Sequence, residues 1–436
     1  VTERIQPSTD YPGYWKFNGE PTLLLGGSVE DNLFQITQVT QHLDLLARVG
    51  GNYVRCTMSS RDPGDLWPYA QGDDGLYDLR TFNDAYWQRF HSFLEACLQR
   101  NIIVQIELWD RFDFARQPWL DNPYNPKNNS NYSAAESGLK TEIDTHPGQN
   151  ENRFFYTIPS HDDNLTVRAF QEQYVERLLE IALPFPNVLY CIDNETSGTP
   201  AWSEYWARML LERSKQEERP ISITEMWDAH DLRDPQHAHT IDNPHLYAFV
   251  DVSQNNHQTG QAHWDNLQAV HKRVKETPRP LNNVKVYGSG EDIFGTAQDA
   301  IERFWRNIFA GCASTRFHRP PHGLGLGPMA QKHIQAVRLA SERFGFFESL
   351  PGEQLLRRRR ENQAYCRYTN HAIAVYFTHD DSLVLDTSLL PAACSLQWLD
   401  VNEGVWKPLQ LLENTGQTAL HPPDADTNFV VLTADT

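Results

Sequence analysis

Apolar positions along this chain alternate between two spacings. Short runs rich in β-branched residues predict buried strands at 22–27, 52–58, 102–108, 188–192, 221–224, 247–252, 284–288 and 315–318. Between them, apolar residues recur every three or four positions. Ile36, Val39, Leu43, Leu46 and Val49 share one helical face in 36–49. The same pattern marks 86–98, 167–183, 202–213, 264–274 and 300–309, and 330–344 follows the last strand. Eight strand–helix units in series predict a (β/α)8 TIM barrel. A doubly wound open sheet would place a glycine-rich phosphate loop after the first strand, and Gly26-Gly27-Ser28 lacks its remaining glycines.

Three segments depart from this alternation. Near the start, Asn18-Gly19 stands between apolar flanks at 14–17 and 20–25, the signature of a tight hairpin. Residues 110–164 form a long loop rich in Asn, Pro and Asp, but also in aromatics (Trp119, Tyr124, Tyr132, Phe154, Phe155, Tyr156). Rings in such numbers favour a functional loop over a disordered one. Past Pro351-Gly352 the period changes to two, with strands expected at 364–369, 372–378, 382–386, 395–401 and 428–433. The chain thus divides into a catalytic barrel over 1–350 and a small antiparallel β-sandwich over 353–436, which has no cluster of catalytic residue types.

Composition narrows the function. A formal charge of −19 argues against nucleic-acid binding. The basic run Arg357–Arg360 reads as a solvated junction between domains. No run reaches the length of a membrane span. Of the six cysteines, Cys56 and Cys191 fall inside strands, so buried free thiols are expected rather than a disulfide framework, with a pairing of Cys366 and Cys394 in the C-terminal region as the lesser alternative. The chain begins at Val1 rather than Met, which suggests a processed form and a secreted or periplasmic location. Twelve Trp and seventeen Tyr suit a sugar site, where flat rings pack on pyranose faces, although most are expected in the core. Nothing in the sequence defines the oligomeric state.

Barrel enzymes carry their reactive groups at the C-terminal ends of the strands. Those positions hold Arg55, Trp109, Asp110, Asn194, Glu195, Glu225, Trp227, Asp251, Asn255, Glu291, Arg316 and His318. No G-x-S-x-G elbow is present. His237-Ala238-His239 has a metal-ligand spacing but lies in a polar segment before the sixth strand, so no metal and no cofactor is expected. Asn194-Glu195 directly follows the fourth strand, and Glu291 follows the seventh. Two carboxyl groups at such positions suit glycosidic cleavage, one giving a proton and the other attacking or activating water. Glu225, at the end of the fifth strand, is the rival second carboxylate. Asn194, Asp110 and His318 are expected to meet sugar hydroxyls, and Trp109 and Trp227 to stack on the rings. Arg55 and Arg316 are expected to meet sugar hydroxyls or a carboxylate or sulfate of an acidic glycan, with a salt bridge to a rim acid as the alternative.

The Asn-Glu pair on strand four with a second Glu after strand seven resembles the retaining barrel glycosidases. Phe17-Asn18-Gly19-Glu20-Pro21, Leu23–Gly27 and Asn187–Glu195 are similar to the apiosidase-like or cellulase-like branch, whose barrel is followed by a β-sandwich ascribed to collagen binding. The resemblance implies Glu195 as acid/base and Glu291 as nucleophile, acting on a carbohydrate substrate. Glu291 departs from the pattern, because Gly288-Ser289-Gly290 separates it from its strand. Exo-action is the expectation from the long loop. The alternatives are a catalytically silent carbohydrate-binding barrel and a metal-dependent barrel hydrolase.

Overall fold

The computed structural model describes residues 3–290, 293–379, 381–425 and 427–434. Its parallel strands, in chain order, are β1 (Leu24–Gly27), β2 (Tyr53–Thr57), β3 (Ile103–Asp110), β4 (Val188–Asn194), β5 (Ile223–Thr224), β6 (Val250–Asp251), β7 (Leu281–Asn282) and β8 (Ser314–Phe317). Six form one half-barrel sheet in the order β5-β4-β3-β2-β1-β8, while β6 pairs with β7. Every residue of β3 and β4 is buried. Burial on both faces explains why these strands read as continuous apolar runs rather than alternating ones.

The β6–β7 pair is tied to both edges of the sheet, partly through side-chain hydroxyls. Thr224 Oγ1 donates to the Phe249 carbonyl (2.9 Å) and accepts from Asp251 N (3.2 Å), linking β5 to β6. Ser253 Oγ accepts from Val284 N (2.9 Å). On the other side Ala313 N donates to the Leu281 carbonyl (2.8 Å), and Val286 bridges Phe317. These substitutions for backbone partners shorten the regular ladders. The strand expected at 284–288 accordingly appears as β7 at Leu281–Asn282, with 284–288 running beside β8 through one bridge.

Outside residues 110–164 the α-helices are α1 (Val39–Arg48), α2 (Asp84–Gln99), α3 (Leu165–Ala182), α4 (Pro200–Gln216), α5 (Ala238–Ile241), α6 (Gly260–Arg273), α7 (Ala297–Ala310) and α8 (Pro328–Ser341). Their ends carry local stop and start chemistry. Thr296 and Asp299 form a capping box at the start of α7, and Gly311, at φ 88°, ends it. The short α5 was not expected, since its four residues are too few for a periodic signal.

At the opposite end of the strands, Trp15–Phe17 pairs with Glu20–Thr22 around Asn18 and Gly19, whose positive φ angles (53° and 86°) make the expected tight turn. Trp15 is fully buried and donates its indole N–H to Asn282 Oδ1 (2.8 Å), so the hairpin plugs that end. Residues 110–164 are built from short helical turns. Their rings are structural: Phe114, Trp119, Tyr124, Tyr132, Phe154 and Phe155 are all buried.

The C-terminal region holds a seven-stranded and a three-stranded antiparallel sheet. Ile373, Val375, Cys394, Leu396 and Leu432 of the larger meet Leu356, Leu385 and Leu420 of the smaller in one apolar cluster. Two strands absent from the sequence expectation, Gln410–Glu413 and Gln417–Leu420, are mostly exposed and so lack an apolar alternation. The larger sheet also packs on the helices, with Tyr376 stacked on Trp305 (5.1 Å). The arginine run is paired: Arg357 with Asp386, Arg360 with Asp381, and Arg359 with Gln261 of α6. All six cysteines are buried and no disulfide joins them, so Cys366 and Cys394 are not bridged. Among the described residues no helix is long and apolar enough to cross a membrane.

Candidate active site

β4 ends at Asn194, and the next residue, Glu195, takes a left-handed φ of 53°. Regular pairing then resumes, since Thr196 bridges Trp227 and donates its N–H to the Met226 carbonyl (2.9 Å). Glu195 is therefore a kink held from both sides. A non-glycine residue costs ~1–3 kcal/mol in such a sparsely populated conformation, and the benefit is a re-aimed side chain.

That side chain meets Lys285, which is 1% exposed. The Lys285 ammonium donates to Glu195 Oε1 and to Asn194 Oδ1, the latter at 2.7 Å. Asn194 passes the constraint on by donating Nδ2 to Asp110 Oδ1 (3.0 Å), and Asp110 is paired with Arg61. Burial pushes the Glu195 carboxyl up, but Lys285, then Arg55 and the Gln254 amide, outweigh it and hold the acid down to about 2. Glu195 is ionised at neutral pH.

Beneath this pair lies a network of buried charges. Arg55 forms a fork on Glu107, with both N–H···O distances 2.7 Å, and reaches Asp31 at 2.8 Å. Arg316 donates to the Val284 carbonyl (2.7 Å), to Ser28 and to Asp31 (3.2 Å). Burial alone would raise the Asp31 acid, but the guanidinium groups of Arg55, Arg316 and Arg319 hold it well below the usual range. Burial keeps His318 neutral, its ring 4.5 Å from that of Tyr287. Asp251 is different. It accepts from Ser253 N (2.8 Å) and Ser253 Oγ (3.0 Å), yet burial pushes its acid up to about 6.

The structure thus brings together Asn194, Glu195, Asp110, Arg55, Arg316 and His318. It does not bring Trp109, Glu225 or Trp227 to this surface. Trp109 is 2% exposed and enclosed by Phe154, Tyr174, Trp202 and Trp206. Trp227 is 1% exposed, its indole N–H donated to Thr240 Oγ1 (2.7 Å). Neither ring is placed to stack on a sugar, because Trp109 is packed against residues of α3 and α4 and Trp227 is tied to Thr240 of α5. Glu225 is fully buried, and its Oε1 accepts from Asp193 N and Met226 N (both 2.9 Å). Burial, reinforced by the Asp193 charge, pushes its acid well up. Glu291 lies outside the described residues.

Sequence reasoning missed Lys285, Asp31, Glu107, Tyr287 and His257. A signal existed for the first: a lysine inside the apolar run 284–288 is rarely there without a partner. His237 is engaged locally, its Nε2–H donating to the Ala229 carbonyl oxygen (2.8 Å). Among the described residues no group of three or more His, Cys, Asp or Glu is arranged to hold a metal ion.

No family model and no curated protein matches this sequence. Solved structures do match. A protein described as a glycoside hydrolase is 13% identical, with a TM-score of 0.68 over 99% of this chain and 97% of its own. A family 5 glycoside hydrolase from Bacteroides vulgatus is 14% identical, with a TM-score of 0.67 over 99% and 94%. A family 5 mannosidase from Rhizomucor miehei is 12% identical, with a TM-score of 0.50 over 76% and 96%. At these identities the likeness is one of fold, and it extends over nearly the whole chain in the first two.

Proposed function

We propose that this chain is a glycoside hydrolase acting on an oligo- or polysaccharide, with Glu195 as one of two catalytic carboxyl groups. The observation that carries it is the placement of Glu195: an ionised, oriented carboxylate just past the C-terminal end of β4, where barrel enzymes do their chemistry. The links from β6 and β7 to both sheet edges support a closed (β/α)8 barrel over 1–350, with 353–436 as an accessory β-sandwich.

Hydrolysis requires a second carboxyl group, and Glu291 is the proposed one. Gly288 and Gly290, at φ 120° and 84°, supply the bend that precedes it. One group bonds to the anomeric carbon while the other protonates the departing oxygen. The second group then takes a proton from water, whose oxygen displaces the first, so configuration is retained. Buried guanidinium groups are already committed to Asp31 and Glu107, which favours a neutral sugar over an acidic one. Exo-action is the reading the long segment favours, since its Asn150 donates to the Ser197 carbonyl (2.8 Å) two residues beyond Glu195.

The test is a panel of glycans with product anomers read by NMR, comparing the native chain with Glu195→Gln. Loss of about 10²–10⁴ in kcat is expected for a catalytic carboxylate. Unchanged sugar release overturns the assignment. Binding without turnover by both proteins would mark a silent carbohydrate-binding barrel instead.

A further inference from the structure

A cleft of about 460 Å³ opens where the outer helices meet the C-terminal sheets, and it shares no residue with the groups around Glu195. Small-molecule sites occupy about 300–1,000 Å³, so this one is large enough for a ligand. One wall is Ile301 and Glu302 of α7 with Met329 and His333 of α8. The other is Val401, Pro422 and Asn428 of the C-terminal region. Trp305 of α7 stacks on Tyr376 (5.1 Å) along the same seam, so the cleft is preformed by packing.

Topology decides where it opens. In a strand–helix unit the helix returns antiparallel to its strand, so α7 and α8 begin at the end of the barrel where the strands finish. Ile301, Glu302, Met329 and His333 all lie in the N-terminal halves of those helices. The cleft therefore stands at the same end as Glu195, on the outer ring.

We propose that this cleft is a second carbohydrate site, which holds a neutral glycan outside the catalytic centre. The existence of the site rests on the cleft alone; the choice of a glycan rests on the glycosidase assignment above. A polysaccharide held at both places gains the effective concentration of two linked sites, an advantage that a short substrate lacks.

The walls select the ligand. Ile301, Met329, Val401 and Pro422 offer apolar surface to the C–H faces of a sugar ring. Both carboxylates among the described lining residues are paired, Glu302 with Arg306 (2.9 Å) and Asp424 with Lys407 (3.9 Å). A charged ligand meets no free counter-ion among them, whereas hydroxyl groups need only donors and acceptors. One of each is in place. Trp305 donates its indole N–H to His333 Nδ1 (2.9 Å), and burial holds that imidazole down to about 3, so it is neutral with its proton on Nε2. Asn428 is anchored by its carbonyl, which accepts from Phe377 N (2.8 Å). Its side-chain Oδ1 is a buried acceptor that no described group meets, and a ligand hydroxyl donating to it removes that penalty.

The chain has four methionines, so ¹³C-methyl labelling of the full chain gives four NMR signals, with that of Met329 assigned by its absence in Met329→Leu. The probes are cellobiose, mannobiose, xylobiose and galactobiose, added to the Glu195→Gln variant so that none is consumed. At least one should move the Met329 signal saturably and show intermolecular NOEs to its methyl group. Asn428→Ala, shown to be folded by its melting curve, should weaken that response about tenfold. The NOEs place the sugar in the cleft whatever the variant does. A Met329 signal unmoved by all of these disaccharides, a response unchanged in Asn428→Ala, or a response to galacturonate oligomers alone overturns the proposal. Failure of the glycosidase assignment looks different: Glu195→Gln would leave hydrolysis intact while the Met329 response stands.

Discussion

Asp251 offers a test of the site's electrostatics that needs no substrate. Its carboxyl lies at the end of β6, and burial moves its acid from the ordinary 3.8 up to about 6. The folded chain therefore binds this proton more tightly than the unfolded one. Below about pH 3.8 the group is neutral in both states and contributes nothing. As pH rises past 3.8 toward 6, ionisation favours the unfolded chain, and above 6 the penalty levels off at ~3 kcal/mol. Asp251→Asn removes that penalty but exchanges one carboxylate oxygen for an amide, weakening a contact to Ser253 worth about 1 kcal/mol. The stability of the variant relative to the native chain should therefore improve by about 2 kcal/mol between pH 4.5 and 7.5. Urea unfolding at the two pH values, followed by tryptophan fluorescence, measures it. A difference that does not change with pH would refute the reasoning, because the lost hydrogen bond alone has no such dependence.

Two further predictions concern the scaffold. Asp31→Asn leaves Arg55 and Arg316 short of a buried anion and should cost ~3–5 kcal/mol, read as a lowered urea midpoint. Gly288→Ala puts a methyl group 2.4 Å from the Thr296 carbonyl oxygen at a φ of 120°, so it should destabilise the chain and disturb the turn into α7, seen as a lower melting temperature.

Much of the architecture is written in local chemistry. Asn18-Gly19 specifies its hairpin because few other pairs adopt two positive φ angles cheaply. The apolar spacing of 36–49 locates α1, although the structure begins it at Val39, after a single turn at Leu33–Gln35. β7 shows the limit of such reasoning. Its apolar signal lies at 284–288, but the paired residues are 281–282, because Ser253 and Ser314 hydroxyls take the amides of Val284 and Asn283. Those bonds join positions about thirty residues apart, beyond any local periodicity.

The candidate site divides in the same way. Asn194 and Glu195 stand out in the sequence because they follow an apolar run that ends abruptly in polar side chains. Trp109 and Trp227 stand out equally, yet their rings are packed away, since which face of a strand looks into the lumen depends on sheet closure. The sequence by itself determines that strands and helices alternate, that a two-period region follows them, and that Glu195 comes just after a strand. Only the tertiary structure decides what Glu195 faces. Lys285 lies ninety residues away along the chain, and the charge on the carboxylate is set chiefly by that contact, with Arg55 and Gln254, against the cost of burial. A carboxyl group's identity is encoded locally; its proton affinity is a property of whatever the fold places beside it.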